Sequence, residues 1–140
     1  MAQLDRPIWE PEEIPNEGKL FMRVHVRQWL KDKLHPGIFR PHRGRSTDSP
    51  AGMSTDWEKY STAEQTRNRH PNPESNGVIS LIAGIIRSIE GLRVQHEPIN
   101  DNSAHTEVYG LEGVNKVRRR KKLFDHFNVW LIDPYQASPF

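Results

Sequence analysis

The stretch GVISLIAGIIRSIEGLRVQHEPI, residues 77–99, forms the apolar centre of the chain and decides the predicted fold. Its apolar residues recur at helical spacing, but the run is rich in β-branched residues and is interrupted by Gly84, which favours a strand at its start. We therefore predict a strand over residues 77–82 and a helical turn over residues 83–90. The alternation in LRVQHEP then predicts a second strand, which Pro98 ends.

Alternating residues predict further strands on both sides of this stretch. In KLFMRVHVRQW, residues 19–29, Leu20, Met22 and Val24 alternate with a set that includes Arg23, as in a half-buried strand. The other segments predicted to be extended are residues 53–57, 104–110 and 128–133.

Two segments are predicted as helices. STAEQTRNR, residues 61–69, begins with Ser61 and has Glu64 three residues later, which is the pattern of a capping box. NKVRRRKKLFDHF, residues 115–127, has Asn115 as its predicted N-cap. Because strands and helices occur in mixed order, we predict an α+β fold with a small, mainly antiparallel sheet and about two helices packed on one face.

The 140 residues are predicted to form a single domain over residues 19–133. Residues 1–18 read as an extended, acidic, proline-rich segment with Trp9 and Ile14 as anchors, and residues 134–140 as a C-terminal tail. The acidic segment is also a candidate to shield the basic run of residues 116–122 within the same molecule.

Composition excludes several classes of site. The chain has no cysteine, so disulfides, thiolate nucleophiles and zinc–thiolate sites are ruled out. No glycine-rich phosphate loop and no H-E-x-x-H motif is present, so we expect neither a cofactor nor a metal. The N-terminus does not resemble a signal peptide and no apolar run is long enough to span a membrane, so we expect a soluble cytoplasmic protein that does not bind membranes.

A basic run stands out in a chain whose formal net charge is only +2, because six of the seven residues 116–122 are cationic. On a helix, Val117 and Leu123 would face inward and most of the cations outward, where phosphates would bind in a salt-sensitive way. The alternative is that these residues form the solvated face of an ordinary helix. The candidate anion-binding residues are Arg118, Arg119, Arg120, Lys121 and Lys122, with Arg40, Arg43 and Arg45 from the loop RPHRGR.

Histidine and glutamate on neighbouring strands are the candidates for catalysis. His105 and Glu107 lie on one face of their predicted strand, and a hairpin between residues 92–97 and 104–110 would bring His96 close to His105. An imidazole oriented by a carboxylate can move protons near neutral pH, and arginine can stabilise developing negative charge. The candidate catalytic residues are therefore His105, Glu107, His96, Arg23 and His25, with Ser54 or Thr55 beside them.

These features favour a protein that binds RNA or a nucleotide phosphate and, in the stronger form of the hypothesis, processes it. The first alternative is a non-enzymatic module whose basic helix docks on an acidic protein. A further alternative is an ADP-ribosyltransferase-like enzyme, because the order Arg23, Ser54-Thr55, Glu107 resembles the arginine, serine–threonine and glutamate of that fold. The oligomeric state is left open.

Five segments also resemble, in the same order, a family of small uncharacterised bacterial proteins. They are LFMRVH, GMSTDWEKYSTAEQ, LIAGIIRSIEGLRVQHEPI, NSAHTEVYG and RRRKKLFDHFNVW, and the similarity spans roughly residues 20–131. The resemblance implies one compact domain and no particular reaction.

Overall fold

A computed structural model describes residues 10–28, 34–41 and 52–132, with the backbone alone for residues 128–130. The strands are β1 (Lys19–His25), β2 (Met53–Trp57), β3 (Asn76–Ile82), β4 (Arg93–His96), β5 (His105–Tyr109) and β6 (Asn128–Ile132), and the helices are α1 (Ala63–Asn68), α2 (Ala83–Ser88) and α3 (Lys116–Phe124). The six strands form one sheet in the order β4-β5-β2-β1-β3-β6, with antiparallel neighbours throughout. The predicted α+β fold with a mainly antiparallel sheet is confirmed.

Some sequence predictions concern parts of the chain that the structure does not describe. Trp9, the loop residues Arg43 and Arg45, and residues 134–140 lie outside the described residues.

The central apolar stretch forms a strand before it forms a helix, as its β-branched composition indicates. Every residue of β3 from Asn76 to Leu81 is buried, and α2 follows directly at Ala83. Because both faces of β3 are covered, its apolar residues form a continuous run, and such a run also matches helical spacing. The chain leaves α2 through Gly91, whose φ of 92° lies in the left-handed region that favours glycine.

Helices cover the two faces of the sheet unequally. One face of the sheet contributes Leu20, Met22 and Ile79 to the main apolar cluster, which also contains Ile86 of α2 and Leu123 of α3. Helices α2 and α3 therefore supply apolar residues to the same cluster. Helix α1 lies over the opposite face, where it contacts β1 and β3.

Helix α1 begins one residue later than the sequence predicts. The capping box is formed by Thr62 and Gln65, each side chain accepting a hydrogen bond from the other's backbone N–H at 3.0 and 2.9 Å. The predicted pair, Ser61 and Glu64, is wrong because the Ser61 hydroxyl is buried and lies 2.9 Å from that of Thr66. The tertiary hydrogen bond takes the hydroxyl away from the helix terminus.

Residues 10–18 pack onto the domain rather than standing apart from it. Ile14 is 2% exposed and belongs to the main apolar cluster, as its predicted anchor role requires. The Glu12 carboxylate pairs with Lys59 at 2.6 Å, and that of Glu13 pairs with Arg87 at 3.2 Å. These two carboxylates therefore bind cations outside the basic run that they were expected to shield.

The longest helix in the described part of the chain has nine residues. None of the described helices has the length and apolar character needed to cross a membrane.

Candidate functional site

Polar side chains from β1, β2 and β5 meet on the face of the sheet that α1 partly covers. Phe21 lies opposite Asp56, and Asp56 lies opposite His105, so these three residues form a first row across the strands. Side chains return to the same face two residues further along each strand. The second row contains Arg23, Ser54 and Glu107, with Ser54 opposite Glu107.

A cleft of about 560 Å³ lies over these two rows. One end of the cleft is formed by residues 99–102, in the turn that joins β4 to β5. The other end is lined by Gln28, which follows β1, and by Arg40 and Pro41. Thr66 and Arg69, at the carboxyl end of α1, line it as well. A cleft of this volume is in the range that holds small-molecule ligands.

Asp56 is the centre of the hydrogen-bond network that shapes the cleft. Its side chain is 6% exposed and accepts hydrogen bonds from Thr66 Oγ1 at 2.7 Å, Arg69 Nη1 at 2.6 Å and Asn102 Nδ2 at 2.8 Å. Buried carboxylates are stable when they are paired and hydrogen-bonded in this way. Asp56 therefore ties α1 and the turn over residues 99–102 to the sheet.

His105, which is partly exposed, and the buried Glu107 form an acid–base pair beside this network. The Nε2 atom of His105 lies 2.8 Å from Oε2 of Glu107, and the Ser54 hydroxyl donates to the same oxygen at 3.1 Å. The side chain of Glu107 is 5% exposed, whereas that of His105 is 20% exposed and lines the cleft. In the neutral imidazole, the carboxylate fixes the proton on Nε2 and leaves Nδ1 as the basic nitrogen.

Three arginines give the cleft its positive charge. Arg23 donates from Nη1 to the carbonyl of Thr66 at 2.8 Å, and Arg40 donates from Nε to the carbonyl of Gly37 at 3.0 Å. Burial lowers the pKa of the Arg23 guanidinium, while the negative charge of Asp56 raises it. Arg69 pairs directly with the carboxylate of Asp56. Arg23 and Arg40 each keep further N–H donors for a ligand, since a guanidinium carries five.

His96 does not join this site, and the prediction that it would lie beside His105 is wrong. The hairpin between β4 and β5 forms as predicted, but His96 pairs with Thr106 and therefore points to the opposite face of the sheet from His105. His96 is 2% exposed and accepts a hydrogen bond from the Glu12 backbone at 3.0 Å, and its ring lies 5.1 Å from that of Trp57. These contacts give His96 a structural role.

His25 lies at the end of β1, two residues beyond Arg23 on the same face, and is not among the described residues that line the cleft. Its Nδ1 atom accepts a hydrogen bond from the Arg27 backbone at 3.0 Å. Partial burial lowers the pKa of His25, and the neighbouring Arg27 and His70 lower it further. The structure therefore places His25 outside the cleft.

The basic run divides into structural and exposed cations. Arg119 donates to the carbonyls of Glu90 and Gly110, each at 3.0 Å, and Arg120 donates to that of Leu111 at 3.0 Å. Both arginines are half-buried, and burial lowers the pKa of Arg120. They hold α3 against the loops that follow α2 and β5.

Arg118, Lys121 and Lys122 are exposed on α3. Within the described part of the chain, none of the three forms an ion pair with a carboxylate. Leu123 is buried as predicted, but Val117, which was expected to face inward, is 72% exposed. The exposed part of α3 is therefore cationic with an apolar residue at its beginning.

Sequence reasoning missed Asp56, Arg69 and Asn102. The alternation of MSTDW places Asp56 on the same face as Ser54, which is a usable signal. Thr55, the other candidate in that strand, faces the opposite side and bonds to the carbonyl of Thr106 at 3.0 Å. Nothing local marks Arg69 or Asn102, because their roles depend on where α1 and the β4–β5 turn pack.

Within the described residues, no group of three or more histidine, aspartate or glutamate side chains is arranged to hold a metal ion. Comparisons with protein-family models, with curated proteins and with solved structures find no match. The function of the cleft must therefore be inferred from the residues that line it.

Proposed function

We propose that the cleft binds the phosphate of a nucleotide or of RNA, and that His105 and Glu107 perform acid–base chemistry on the phosphate ester. The observation that carries this proposal is the His105–Glu107 contact of 2.8 Å, which opens onto a cleft that also presents Arg23, Arg40 and Arg69. A base held by a carboxylate next to several guanidinium groups suits the cleavage or transfer of phosphate esters.

The charge of the cleft favours an anionic ligand. Asp56 and Arg69 neutralise one another at 2.6 Å. The other arginines and carboxylates among the described lining residues are Arg23 and Arg40, which are cationic, and Asp101, whose carboxylate is exposed. Arginine is well suited to phosphate because its planar fork matches two phosphoryl oxygens. The positive charge of the described lining is therefore concentrated at Arg23 and Arg40, whereas the charged group next to His105 is the carboxylate of Glu107.

The proposed reaction begins when Nδ1 of His105 accepts a proton from the attacking hydroxyl, either water or a ribose hydroxyl. The new oxygen–phosphorus bond forms as the bond to the leaving oxygen breaks, and the leaving oxygen takes the bonding electron pair. The imidazolium then returns its proton to that oxygen, so protons and electrons balance. Glu107 stabilises the transient imidazolium, while Arg23 and Arg40 stabilise charge on the phosphoryl oxygens.

Hydrolysis of dinucleoside monophosphates and of short RNA tests this proposal. His105→Ala is expected to lower the rate by about 10² to 10⁴ while ligand binding changes little, because general acid–base catalysis is worth about that factor. Glu107→Gln should lower the rate less, since the imidazole keeps a hydrogen-bonding neighbour. His70→Ala, which changes a histidine outside the described cleft lining, is the matched control and should retain the wild-type rate.

Wild-type protein that neither binds nor cleaves these phosphate esters would refute the proposal. Cleavage that survives His105→Ala unchanged would refute the assigned base. The ADP-ribosyltransferase alternative gains no support from Glu107. Its carboxylate is buried and contacts His105 and Ser54, and Glu107 is not among the described residues that line the cleft.

The second candidate is a non-enzymatic module that binds a polyanion or an acidic protein through α3. The exposed side chains of Arg118, Lys121 and Lys122, without ion pairs to described residues, favour it. Helix α3 also packs against residues 36–38, which lead directly to Arg40 at the cleft. The two candidates are therefore compatible if a long anion contacts both surfaces.

A further inference from the structure

The two ends of the cleft differ in chemistry. At the β4–β5 end, the turn presents Ile99, which is 45% exposed, and the exposed carboxylate of Asp101. The opposite end presents Arg40. Arg23 belongs to the second row, which lies nearer to that end than the first row does. One end is therefore apolar and acidic, and the other is cationic.

The turn that carries Ile99 and Asp101 is held in place by hydrogen bonds. The backbones of Ile99 and Asn102 bond to each other twice, each at 3.0 Å. The side chain of Asn102 donates to Asp56 at 2.8 Å and accepts from the Ala104 backbone at 3.0 Å. The apolar side chain of Ile99 is thus presented to the cleft by a fixed backbone, which lowers the entropy lost when a ligand packs on it.

We infer that the ligand is a nucleoside monophosphate unit bound in one orientation, with its nucleoside against the turn and its phosphate toward Arg40. This inference rests on the proposed function and adds the ligand class and its direction. A phosphate group alone needs neither an apolar contact nor a cleft of about 560 Å³. Ile99 supplies the apolar contact for the flat face of a base, and the carboxylate of Asp101 accepts hydrogen bonds from ribose hydroxyl or base amino groups.

Asp101 also sets the direction of binding. A carboxylate repels a phosphate placed at the β4–β5 end, so the reversed orientation is disfavoured while the nucleoside end is accepted. The phosphate then lies toward Arg40 and Arg23, and the ester linkage falls over the first row, which contains His105 and Asp56. This orientation brings the reacting bond toward the proposed base.

Calorimetric titration with AMP, UMP and methyl phosphate tests the inference. Ile99→Ser and Asp101→Asn are each expected to weaken AMP and UMP about tenfold, about 1.4 kcal/mol, and to leave methyl phosphate no weaker than in the wild type. Arg40→Gln should weaken all three ligands. Asp125→Asn, which changes an exposed acid at the end of α3, is the matched control and should have no effect.

Binding of methyl phosphate as tightly as AMP, with no effect of Ile99→Ser, would overturn the nucleoside orientation and leave the phosphate site standing. Equal weakening of methyl phosphate by Asp101→Asn would also overturn it, since the carboxylate would then act on the phosphate end. If the wild type binds none of the three ligands, the proposed function fails together with this inference.

Discussion

Replacement of Asp56 by alanine is predicted to destabilise the protein strongly and to loosen the candidate cleft. The substitution removes three hydrogen bonds to a carboxylate whose side chain is 6% exposed and leaves Arg69 without its partner. It also releases Asn102, and with it the turn over residues 99–102. Both α1 and one end of the cleft would lose their attachment to β2.

The magnitude follows from the burial of the two partners. Removing one member of a fully buried ion pair costs about 3–5 kcal/mol, because the other charge is left uncompensated. The side chain of Arg69 is 28% exposed, so water can solvate it in part, and we expect a loss near the lower limit, about 3 kcal/mol. For a domain of this size, that loss corresponds to a fall in Tm of about 6–12 °C.

Urea denaturation followed by tryptophan fluorescence measures this loss. Asp56→Asn should cost about half as much, because the amide oxygen can still accept from both Thr66 and Arg69, which donate to the same carboxylate oxygen, and only the bond from Asn102 is lost. Asp101→Ala, which removes an exposed carboxylate from the same cleft, is the control and should change the free energy of unfolding by less than about 0.5 kcal/mol. In a double-mutant cycle with Arg69→Met, the two substitutions should be clearly non-additive.

A loss below about 1 kcal/mol for Asp56→Ala, with no coupling to Arg69→Met, would refute this reasoning. It would mean that the carboxylate does not hold α1 and the β4–β5 turn together. Loss of nucleotide binding in Asp56→Asn, measured under conditions where the variant is still folded, would by contrast agree with a cleft shaped by this network.

Two further predictions concern charge. The pKa of the Glu12 carboxylate is lowered because Lys59 and, to a smaller extent, Tyr60 donate hydrogen bonds to it. The bond from the Tyr60 hydroxyl to Glu12 also raises the pKa of Tyr60. Glu12→Gln should therefore lower the pKa of Tyr60, measured by ¹³C NMR of its ring. For α3, Lys121→Gln with Lys122→Gln should reduce the salt slope of single-stranded RNA binding by about 1.4, which is about 0.7 for each phosphate that the variant no longer neutralises.

The signs of the Glu12 contacts give a pH window. The contribution of Glu12 to the stability of the folded state is present above the ordinary pKa of glutamate and is lost as pH falls through its lowered pKa. The stabilising contribution of Tyr60 is present below the ordinary pKa of tyrosine and is lost as pH rises through its raised pKa.

Glu13→Gln is the control for the Glu12 prediction, and an unchanged pKa of Tyr60 in Glu12→Gln would contradict the contact between Tyr60 and Glu12. Lys19→Gln with Arg93→Gln is the charge-matched control for α3, and an equal slope change in both double variants would contradict a specific α3 contact.

Part of the candidate site could be predicted because it depends only on alternation within one strand. His105 and Glu107 are two residues apart, so any extended conformation places them on the same face, and the structure brings them to 2.8 Å. The placement of His96 could not be predicted in this way, because it depends on the register between β4 and β5. A shift of one residue reverses the face of every side chain in a strand, and the observed pairing with Thr106 sends His96 to the opposite side.

The sequence by itself determined the local elements: the strand-then-helix order of residues 77–90, the alternating strands and the cationic helix α3. These follow from periodicity and composition, which act over a few residues. Only the tertiary structure decided that β2 lies between β1 and β5, and hence that Asp56 stands opposite His105 with Arg69 and Asn102 around it. Strand order and helix docking depend on burial of apolar surface summed over the whole chain, so no short stretch of sequence contains them.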